Sequence, residues 1–358
     1  MAQLFKVLSL DGGGIRGLVP AMMLAEIEGR TGKPISALFD LIAGTSTGGI
    51  LTLGLTRPGA DGKPAFSAEH LMDIYENQGD EIFSTSLLNS LLSLWGLMNK
   101  KYDATRLEAL LLDYFGDTQL SEALTDVLIT SYDIRTHRPW FFKSRRARRD
   151  ESQDVLMREV ARCTSAAPTF FEPHHLIKSI RDEKRAAALI DGGVMANNPS
   201  MCAFAEAKVM LAEEASTRST RPDGTGTRSL SRWYQEEPIE ASAGENERML
   251  IASIGTGEYN QEIEFEKAQR WGMIGWVQPL IDIMFIGVSY SIDFQLKQLL
   301  PKTLEDKQRY FRFQSDIEKI SIDMDNVSRE NIAALKRTGQ KMIKDHSKKL
   351  DDLCKQLT

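Results

Sequence analysis

The sequence predicts an α/β fold with three layers, in which helices cover both faces of a largely parallel sheet. Short apolar runs that end in glycines alternate with longer segments of helical period. Such runs are typical of parallel strands that are buried on both faces. The chain has 358 residues, of which 42% are hydrophobic, and these can fill a large core in one large domain or two smaller ones.

The predicted elements follow one another in a regular order. Phe5–Leu10 reads as a strand, and a glycine cluster and a helix from about Leu18 come after it. Leu38–Gly44 predicts a second strand that also runs into glycines and a helix. Further strands are predicted at Asp126–Ile134, Ala187–Gly193 and Met249–Gly257.

The remaining segments are expected to lie outside this sheet. Residues 55–119 indicate a helical excursion, and residues 213–247 are rich in Ser, Thr, Arg, Gly and Glu, which is typical of a mobile insert. A lysine-rich terminal helix is predicted from Ser328 onward. We therefore expect a catalytic domain over residues 1–257 and a helical cap region over residues 258–358 that packs on the same domain.

Charge and cysteine content narrow the function classes. The net charge of -6 provides no field that would attract a nucleic acid polymer. Cys163, Cys202 and Cys354 lack the spacing of a zinc site or a disulfide framework, which fits a reducing compartment. The first ten residues lack the long apolar stretch of a secretory signal, so we expect a cytoplasmic protein.

Trp271–Val288 is strongly apolar, as a membrane span would be. It contains Gln278, Pro279 and Asp282, whereas a spanning helix needs about 20 nearly uninterrupted apolar residues. We predict a buried or interfacial helix here.

Gly44-Thr45-Ser46-Thr47-Gly48 matches the pattern of a nucleophile elbow. A sharp turn from strand to helix requires small residues beside the serine, and it directs the helix N-terminus at a developing oxyanion. The structural alternative is a glycine-rich turn in which Ser46 caps the helix.

The cluster from Asp11 to Gly17, DGGGIRG, follows the first strand. Successive glycines allow backbone N–H groups to converge on an anion, which can be an oxyanion or a phosphate. The spacing also fits a dinucleotide fingerprint, but that motif needs an acidic residue at the far end of the next strand. Asp40 stands at the start of that strand, so we disfavour an oxidoreductase.

Asp191-Gly192-Gly193 closes a predicted strand, and by itself it is an ordinary turn sequence. An α/β-hydrolase triad would need a histidine after its acid. His346 is the only later histidine, and it lies on a charged predicted helix. His174 and His175 precede Asp191 and follow a proline, so the sequence offers no well-placed triad histidine.

Together these motifs resemble the patatin-like phospholipase family, which carries a DGGG-x-R/K-G loop, a G-x-S-x-G elbow and a D-G-G/A motif. TSAAPTFFEP at Thr164–Pro173 and ANNPS at Ala196–Ser200 also resemble family segments. The resemblance extends in order from about Phe5 to Met210, so it implies the patatin-like three-layer sandwich with a helical cap.

The resemblance implies a lipid acyl hydrolase of phospholipase A type that needs no metal and no cofactor. Ser46 would be the nucleophile and Asp191 its partner in a Ser-Asp dyad. Gly12, Gly13 and Gly14 would form the oxyanion hole, with Arg16 either assisting or pairing with a carboxylate or a headgroup phosphate. Gly44 and Gly48 would shape the elbow.

Partners and regulation are also expectations from this resemblance. The substrate would be a phospholipid or another acyl lipid, met peripherally at the inner face of a membrane. Some bacterial relatives are toxic effectors in antiviral defence that a cyclic nucleotide activates, which makes such an activator a second expectation. The alternative from another class is a non-catalytic lipid-sensing or nucleotide-sensing module on the same fold.

Three surface segments have competing interpretations. Leu87–Met98 and Trp271–Val288 are apolar enough to border an acyl site or meet a bilayer, and for at least one of them we prefer a core helix. Trp140–Arg149 combines aromatic and basic residues that would suit anionic headgroups. We prefer a solvated loop for that last segment.

Overall fold

The computed structural model describes residues 4–77, 104–168, 170–180, 183–219, 248–259, 262–303 and 305–358. The predicted apolar segment Leu87–Met98 lies outside these residues, as does most of the predicted insert. Within them, strands form a single sheet in the order β5-β6-β3-β2-β1-β7-β8, with β4 paired to β3. The strands are β1 (Phe5–Leu10), β2 (Leu41–Thr45), β3 (Asp126–Asp133), β4 (Arg138–Lys143), β5 (His174–Ile180), β6 (Glu183–Asp191), β7 (Met249–Ile254) and β8 (Tyr310–Phe313).

Helices cover this sheet on both faces. They are α1 (Leu18–Thr31), α2 (Ile35–Leu38), α3 (Thr47–Thr56), α4 (Ala68–Asn77), α5 (Thr105–Phe115), α6 (Ser144–Ala147), α7 (Met157–Thr164), α8 (Gly193–Ala196), α9 (Ser200–Ser219), α10 (Phe265–Ala268), α11 (Met273–Leu299), α12 (Arg329–Asp345) and α13 (Ser347–Leu357). The predicted α/β fold with a mainly parallel centre is confirmed.

The alternation of side chains along β1 separates two cores. Leu8 and Leu10 pack with α1, α12 and α13 on one face of the sheet. Phe5 and Val7 point to the other face, where they pack with α9 and the C-terminal half of α11. All four are buried, since successive side chains of a strand point to opposite faces and helices cover both.

The central strands β3, β2, β1, β7 and β8 are parallel to their neighbours in that order. Their carboxyl ends therefore meet at one edge of the sheet, where ligands of open α/β sheets bind. In contrast, β4 and β6 pair with β3 in the antiparallel direction, and β5 pairs with β6 in the same way. The sequence did not predict β4, β5 or β8.

Several predicted boundaries are corrected. The second strand begins at Leu41, because Ile35–Leu38 forms a helical turn. The predicted insert begins too early, since α9 continues as a helix through Ser219. The C-terminal region contributes the sheet strand β8 as well as helices, a contribution that the sequence did not predict.

The segment Trp140–Arg149 is not a solvated loop. Its first part belongs to β4, where Lys143 is buried and forms an ion pair with Glu206 at 2.5 Å. Arg145 pairs with Glu213 at 2.8 Å, and Arg148 pairs with Asp126. These basic groups are neutralised by carboxylates of the protein, which disfavours their use for anionic headgroups.

The apolar segment Trp271–Val288 forms most of α11. Among the described residues, no helix combines the length and the apolar character that crossing a bilayer requires. The C-terminal half of α11 is anchored in the core through Ile292 and Leu296. Its N-terminal half exposes large apolar side chains, so this half is not a core helix.

Candidate active site

Ser46 lies in a strained turn between β2 and α3. Its φ of 54° and ψ of -123° are unusual for a residue with a side chain, and such conformations cost about 1–3 kcal/mol. The turn is held by its neighbours, because the Ser46 N–H donates to Thr164 Oγ1 at 2.9 Å. Thr164 in turn donates to the Thr130 carbonyl at 2.7 Å. This backbone geometry is that of a nucleophile elbow.

Gly44 and Gly48 allow the elbow to close. A Cβ at Gly44 would overlap the Gly48 carbonyl across the turn. A Cβ at Gly48 would overlap the carbonyl of Leu10 at the end of β1. Both glycines are therefore needed because backbone packs directly on backbone at this edge of the sheet.

The glycine loop after β1 lies beside Ser46. A Cβ at Gly12 would stand 3.3 Å from Ser46 Cβ and 2.5 Å from Asn197 Oδ1. The Gly12 N–H donates to the Asn197 carbonyl at 3.0 Å, and the Gly12 carbonyl accepts from Thr256 Oγ1 at 2.9 Å. Gly12 therefore has no room for a side chain, and its N–H, which is bonded to the Asn197 carbonyl, is not available to the predicted oxyanion hole.

The next amides of the loop divide into engaged and available ones. Ile15 N–H donates to the Met324 carbonyl at 2.8 Å, and Arg16 N–H donates to the Gly13 carbonyl at 3.2 Å. The amides of Gly13 and Gly14 have no acceptor within the described part of the chain. Gly14 has φ +57°, a conformation that favours glycine. Two adjacent N–H groups are therefore available to an anion.

The Arg16 side chain is buried within the loop. Its Nε donates to the Gly13 carbonyl at 3.4 Å. This contact turns the Gly13 carbonyl toward the guanidinium, and it gives Arg16 a part in shaping the loop.

Asp191 ends β6 at the same place. Its carboxyl is buried, lies beside the Ser46 side chain and accepts a hydrogen bond from the Gly193 N–H at 2.7 Å. Burial raises the pKa of Asp191 to about 6, although the Gly193 N–H and the nearby Ser46 hydroxyl partly lower it. A Cβ at Gly192 would overlap Thr130, so this turn also packs directly on β3.

The site brings together a serine hydroxyl, a carboxylate of raised basicity and two available amides, a combination suited to acyl transfer. The sequence model of the family described as "Patatin-like phospholipase" matches residues 8–203. The chain belongs to the patatin-like phospholipase family. Membership supports lipid acyl hydrolase activity in general.

Plant proteins are among the similar relatives of this family member. It is 33% identical to "Patatin-like protein 2" of Arabidopsis thaliana, over 95% of this chain and 83% of the relative. It is 31% identical to "Patatin-like protein 2" of Oryza sativa subsp. indica, over 96% of this chain and 85% of the relative. A third relative, "Probable inactive patatin-3-Kuras 1" of Solanum tuberosum, is 29% identical over 96% of this chain and 87% of its own length.

Two of the candidate triad histidines of this patatin-like chain, His174 and His346, have other partners. His174 lies on β5 and its Nε2 is 2.7 Å from Glu159 Oε2. The His346 Nε2 is 3.1 Å from the Gln314 carbonyl, and its ring packs edge-on against Phe313. In the described structure no hydrogen bond joins a histidine to Ser46 or to the Asp191 carboxyl.

Supporting residues of the site were missed from the sequence alone. Thr164, Asn197 and Thr256 hold the elbow and the glycine loop through the hydrogen bonds given above. Thr164 lies in TSAAPTFFEP and Asn197 lies in ANNPS. The family resemblance therefore indicated these two segments but not the hydrogen bonds that they form. Asp40 Oδ2 accepts from the Lys6 N–H at 2.7 Å before β2 begins, which keeps it at the opposite end of that strand from Ser46.

Proposed function

We propose that this chain hydrolyses carboxylic esters of acyl lipids, as a phospholipase of A type, through Ser46 and Asp191. One observation carries the proposal: Ser46 lies in a strained strand-to-helix turn beside the buried carboxyl of Asp191, whose pKa burial raises to about 6. An ordinary carboxylate is too weak a base for a serine at neutral pH. The raised pKa brings Asp191 closer to the basicity that general-base catalysis requires.

The proposed reaction has two halves. Ser46 Oγ attacks the ester carbonyl carbon while its proton passes to Asp191, and the amides of Gly13 and Gly14 hydrogen-bond the oxyanion. The C–O bond then breaks, and the proton on Asp191 passes to the departing alcohol oxygen. Water attacks the acyl-enzyme, gives a proton to Asp191 and releases the fatty acid as Ser46 recovers its hydrogen.

Covalent labelling tests this assignment. We expect a fluorophosphonate ester to modify Ser46, since the reagent reacts with an activated serine and its P–O group occupies the oxyanion hole. Mass spectrometry of the digested protein identifies the modified residue. Release of p-nitrophenol from acyl esters, and of fatty acid from phospholipid, is measured in parallel with EDTA present, and both are expected to persist.

Labelling at another serine, or turnover that EDTA abolishes and calcium restores, would contradict the proposal. Lipid binding without labelling or turnover would support the alternative of a non-catalytic lipid-sensing module. Activation by a cyclic nucleotide stays a prediction from the sequence, and cyclic dinucleotides added to the same assay test it.

We further propose that α11 contacts the lipid surface that carries the substrate. Its N-terminal half exposes one apolar stripe at helical spacing, with exposed fractions of 38–50%. The stripe consists of Trp276, Leu280, Ile283, Met284 and Val288. Lys267, which precedes the stripe, is paired with Glu264 at 2.9 Å, so the proposed contact depends on the apolar side chains.

The position of α11 fits this role. Ser289 lies at the end of the stripe and approaches Asn198 Nδ2 at 3.5 Å. Asn198 follows Asn197, whose carbonyl accepts a hydrogen bond from the Gly12 N–H of the glycine loop. A bilayer held by α11 would therefore lie close to the proposed catalytic residues.

The double variant Leu280→Ser, Met284→Ser tests the lipid contact. Burying a side chain of this size contributes about 1.5–3 kcal/mol, so we expect binding to anionic vesicles and hydrolysis of vesicle lipid to fall at least about tenfold. Turnover of a short soluble ester should stay unchanged. Leu112→Ser is the control, because Leu112 is 51% exposed on α5, away from the stripe. Equal vesicle binding by all three proteins would contradict this role.

A further inference from the structure

The glycine loop begins with a buried carboxylate that a distant arginine holds. Asp11 is 2% exposed and stands between β1 and Gly12. Arg312 of β8 donates to both of its oxygens, with Nη1 to Oδ1 at 3.0 Å and Nη2 to Oδ2 at 2.6 Å. Two parallel contacts fix the orientation of the carboxylate as well as its position.

Arg312 is itself fixed on several sides. Nη1 also donates to Ser253 Oγ at 2.8 Å, and Nη2 donates to Ser289 Oγ at 3.2 Å. The Arg312 carbonyl accepts a hydrogen bond from Lys349 Nζ. The guanidinium therefore joins β7, β8 and α11 to the first residue of the glycine loop.

Other C-terminal groups hold the rest of the loop. Thr256, after β7, donates to the Gly12 carbonyl. The Met324 carbonyl, after β8, accepts from Ile15 and lies where a Cβ of Gly14 would be. The amides of Gly13 and Gly14 stay available between these two attachments.

We propose that Arg312 is a positioning residue for the oxyanion loop, which it aligns with Ser46 through the two-point contact with Asp11. This inference rests on the proposed function and deepens it. It also extends the site beyond residues 8–203, the part that the family model matches.

The physical argument concerns orientation more than stability. A buried ion pair contributes little net stability, because desolvation of the two charges offsets their attraction. The planar guanidinium offers a fork that matches a carboxylate, whereas the lysine ammonium is a point charge on a flexible stem. Lysine at this position would keep the charge balance and lose the fixed orientation.

Arg312→Lys separates these two contributions. A small misplacement of catalytic groups costs about a hundredfold in rate, so we expect kcat on a soluble p-nitrophenyl ester to fall about a hundredfold. KM should change little, because the loop acts mainly in the transition state. The melting temperature should stay close to that of the unaltered protein, since the buried carboxylate keeps a cation.

Arg337→Lys is the matched control. Arg337 also holds a carboxylate at two points, with Nε 2.8 Å and Nη2 3.0 Å from the oxygens of Glu318. Both side chains of that pair are half exposed, with Arg337 on α12, and within the described residues neither is hydrogen-bonded to the glycine loop. This control should keep kcat, KM and melting temperature.

A second readout does not depend on turnover. With 15N-glycine labelling, the amide signals of Gly13 and Gly14 in the ligand-free protein should move in Arg312→Lys and stay in place in Arg337→Lys. Failure of Ser46 to react with the fluorophosphonate would refute the proposed function and leave this test of loop position intact. If Arg312→Lys does not fold, Asp11→Asn, which keeps the shape of the side chain, takes its place in both measurements.

Unmoved Gly13 and Gly14 signals, together with a kcat within about threefold of the unaltered protein, would overturn the proposal. The proposal would also be overturned if Arg312→Lys lowered the melting temperature and kcat together and the double variant Asp11→Asn, Arg312→Gln had near-normal values of both. That pattern would assign the pair to charge balance alone.

Discussion

Asp191→Asn is expected to lower ester hydrolysis to near the level of Ser46→Ala. The amide keeps the shape of the carboxyl but cannot take the serine proton. Ser46→Ala removes the nucleophile and should leave almost no turnover of a p-nitrophenyl acyl ester. Both variants should keep the circular dichroism spectrum of the unaltered protein, because neither adds bulk to the site.

The histidines supply the decisive controls for this first prediction. His174→Ala, His175→Ala and His346→Ala should each keep most of the activity, since none is hydrogen-bonded to the proposed dyad. A folded histidine variant as inactive as Ser46→Ala would replace the dyad with a triad.

The pH dependence provides an independent check. Burial raises the pKa of Asp191 to about 6, and only the ionised form accepts a proton. The kcat/KM of the unaltered enzyme should therefore rise with pH through about 6 and level off above it. A raised pKa in the folded state also means that stability falls as pH rises from the ordinary aspartate value to about 6. Asp191→Asn should accordingly gain in melting temperature relative to the unaltered protein at pH 8 more than at pH 4.

Gly14→Ala has the second-largest expected effect. Gly14 has φ +57°, and an added Cβ would overlap the Met324 carbonyl, so the loop must move. Displacing an oxyanion donor costs about a hundredfold or more in turnover, and we expect kcat to fall by that amount. The measurement is kcat and KM on the soluble ester.

Gly62→Ala serves as the control for Gly14→Ala. Gly62 has a comparable φ of +74°, but nothing lies within 4 Å of its added Cβ. Both variants carry the same kind of backbone strain, and only Gly14→Ala should lose turnover. Similar kcat values in the two variants would show that the loop amides do not act on the oxyanion.

The central part of the fold was predictable because its signals are local. The strands β1, β3 and β7 are apolar runs, and the elbow around Ser46 is a short motif between a strand and a helix. Glycines mark the places where backbone packs on backbone, as at Gly44 and Gly48. Local patterns of this kind need no knowledge of distant residues.

The missed features depend on distant residues or on weak patterns. β8 has four residues, YFRF, too few for a strand period to stand out. β4 overlaps the basic segment Trp140–Arg149, for which the sequence predicted a loop, and the burial of Lys143 depends on Glu206 of α9. The contact of Arg312 with Asp11 joins residues 301 positions apart, which no spacing rule connects.

That separation has a consequence for how the protein is made. Contacts between residues far apart in sequence are slow to form, since a long loop must close first. A chain still emerging from the ribosome already contains Ser46 and Asp191, but it lacks Arg312, Met324 and β8. We therefore expect the nascent chain to stay inactive toward the lipids of the cell that makes it until the segment from β8 onward has folded. Stalled chains that end before β8 should give no fluorophosphonate adduct, and released full-length chains should.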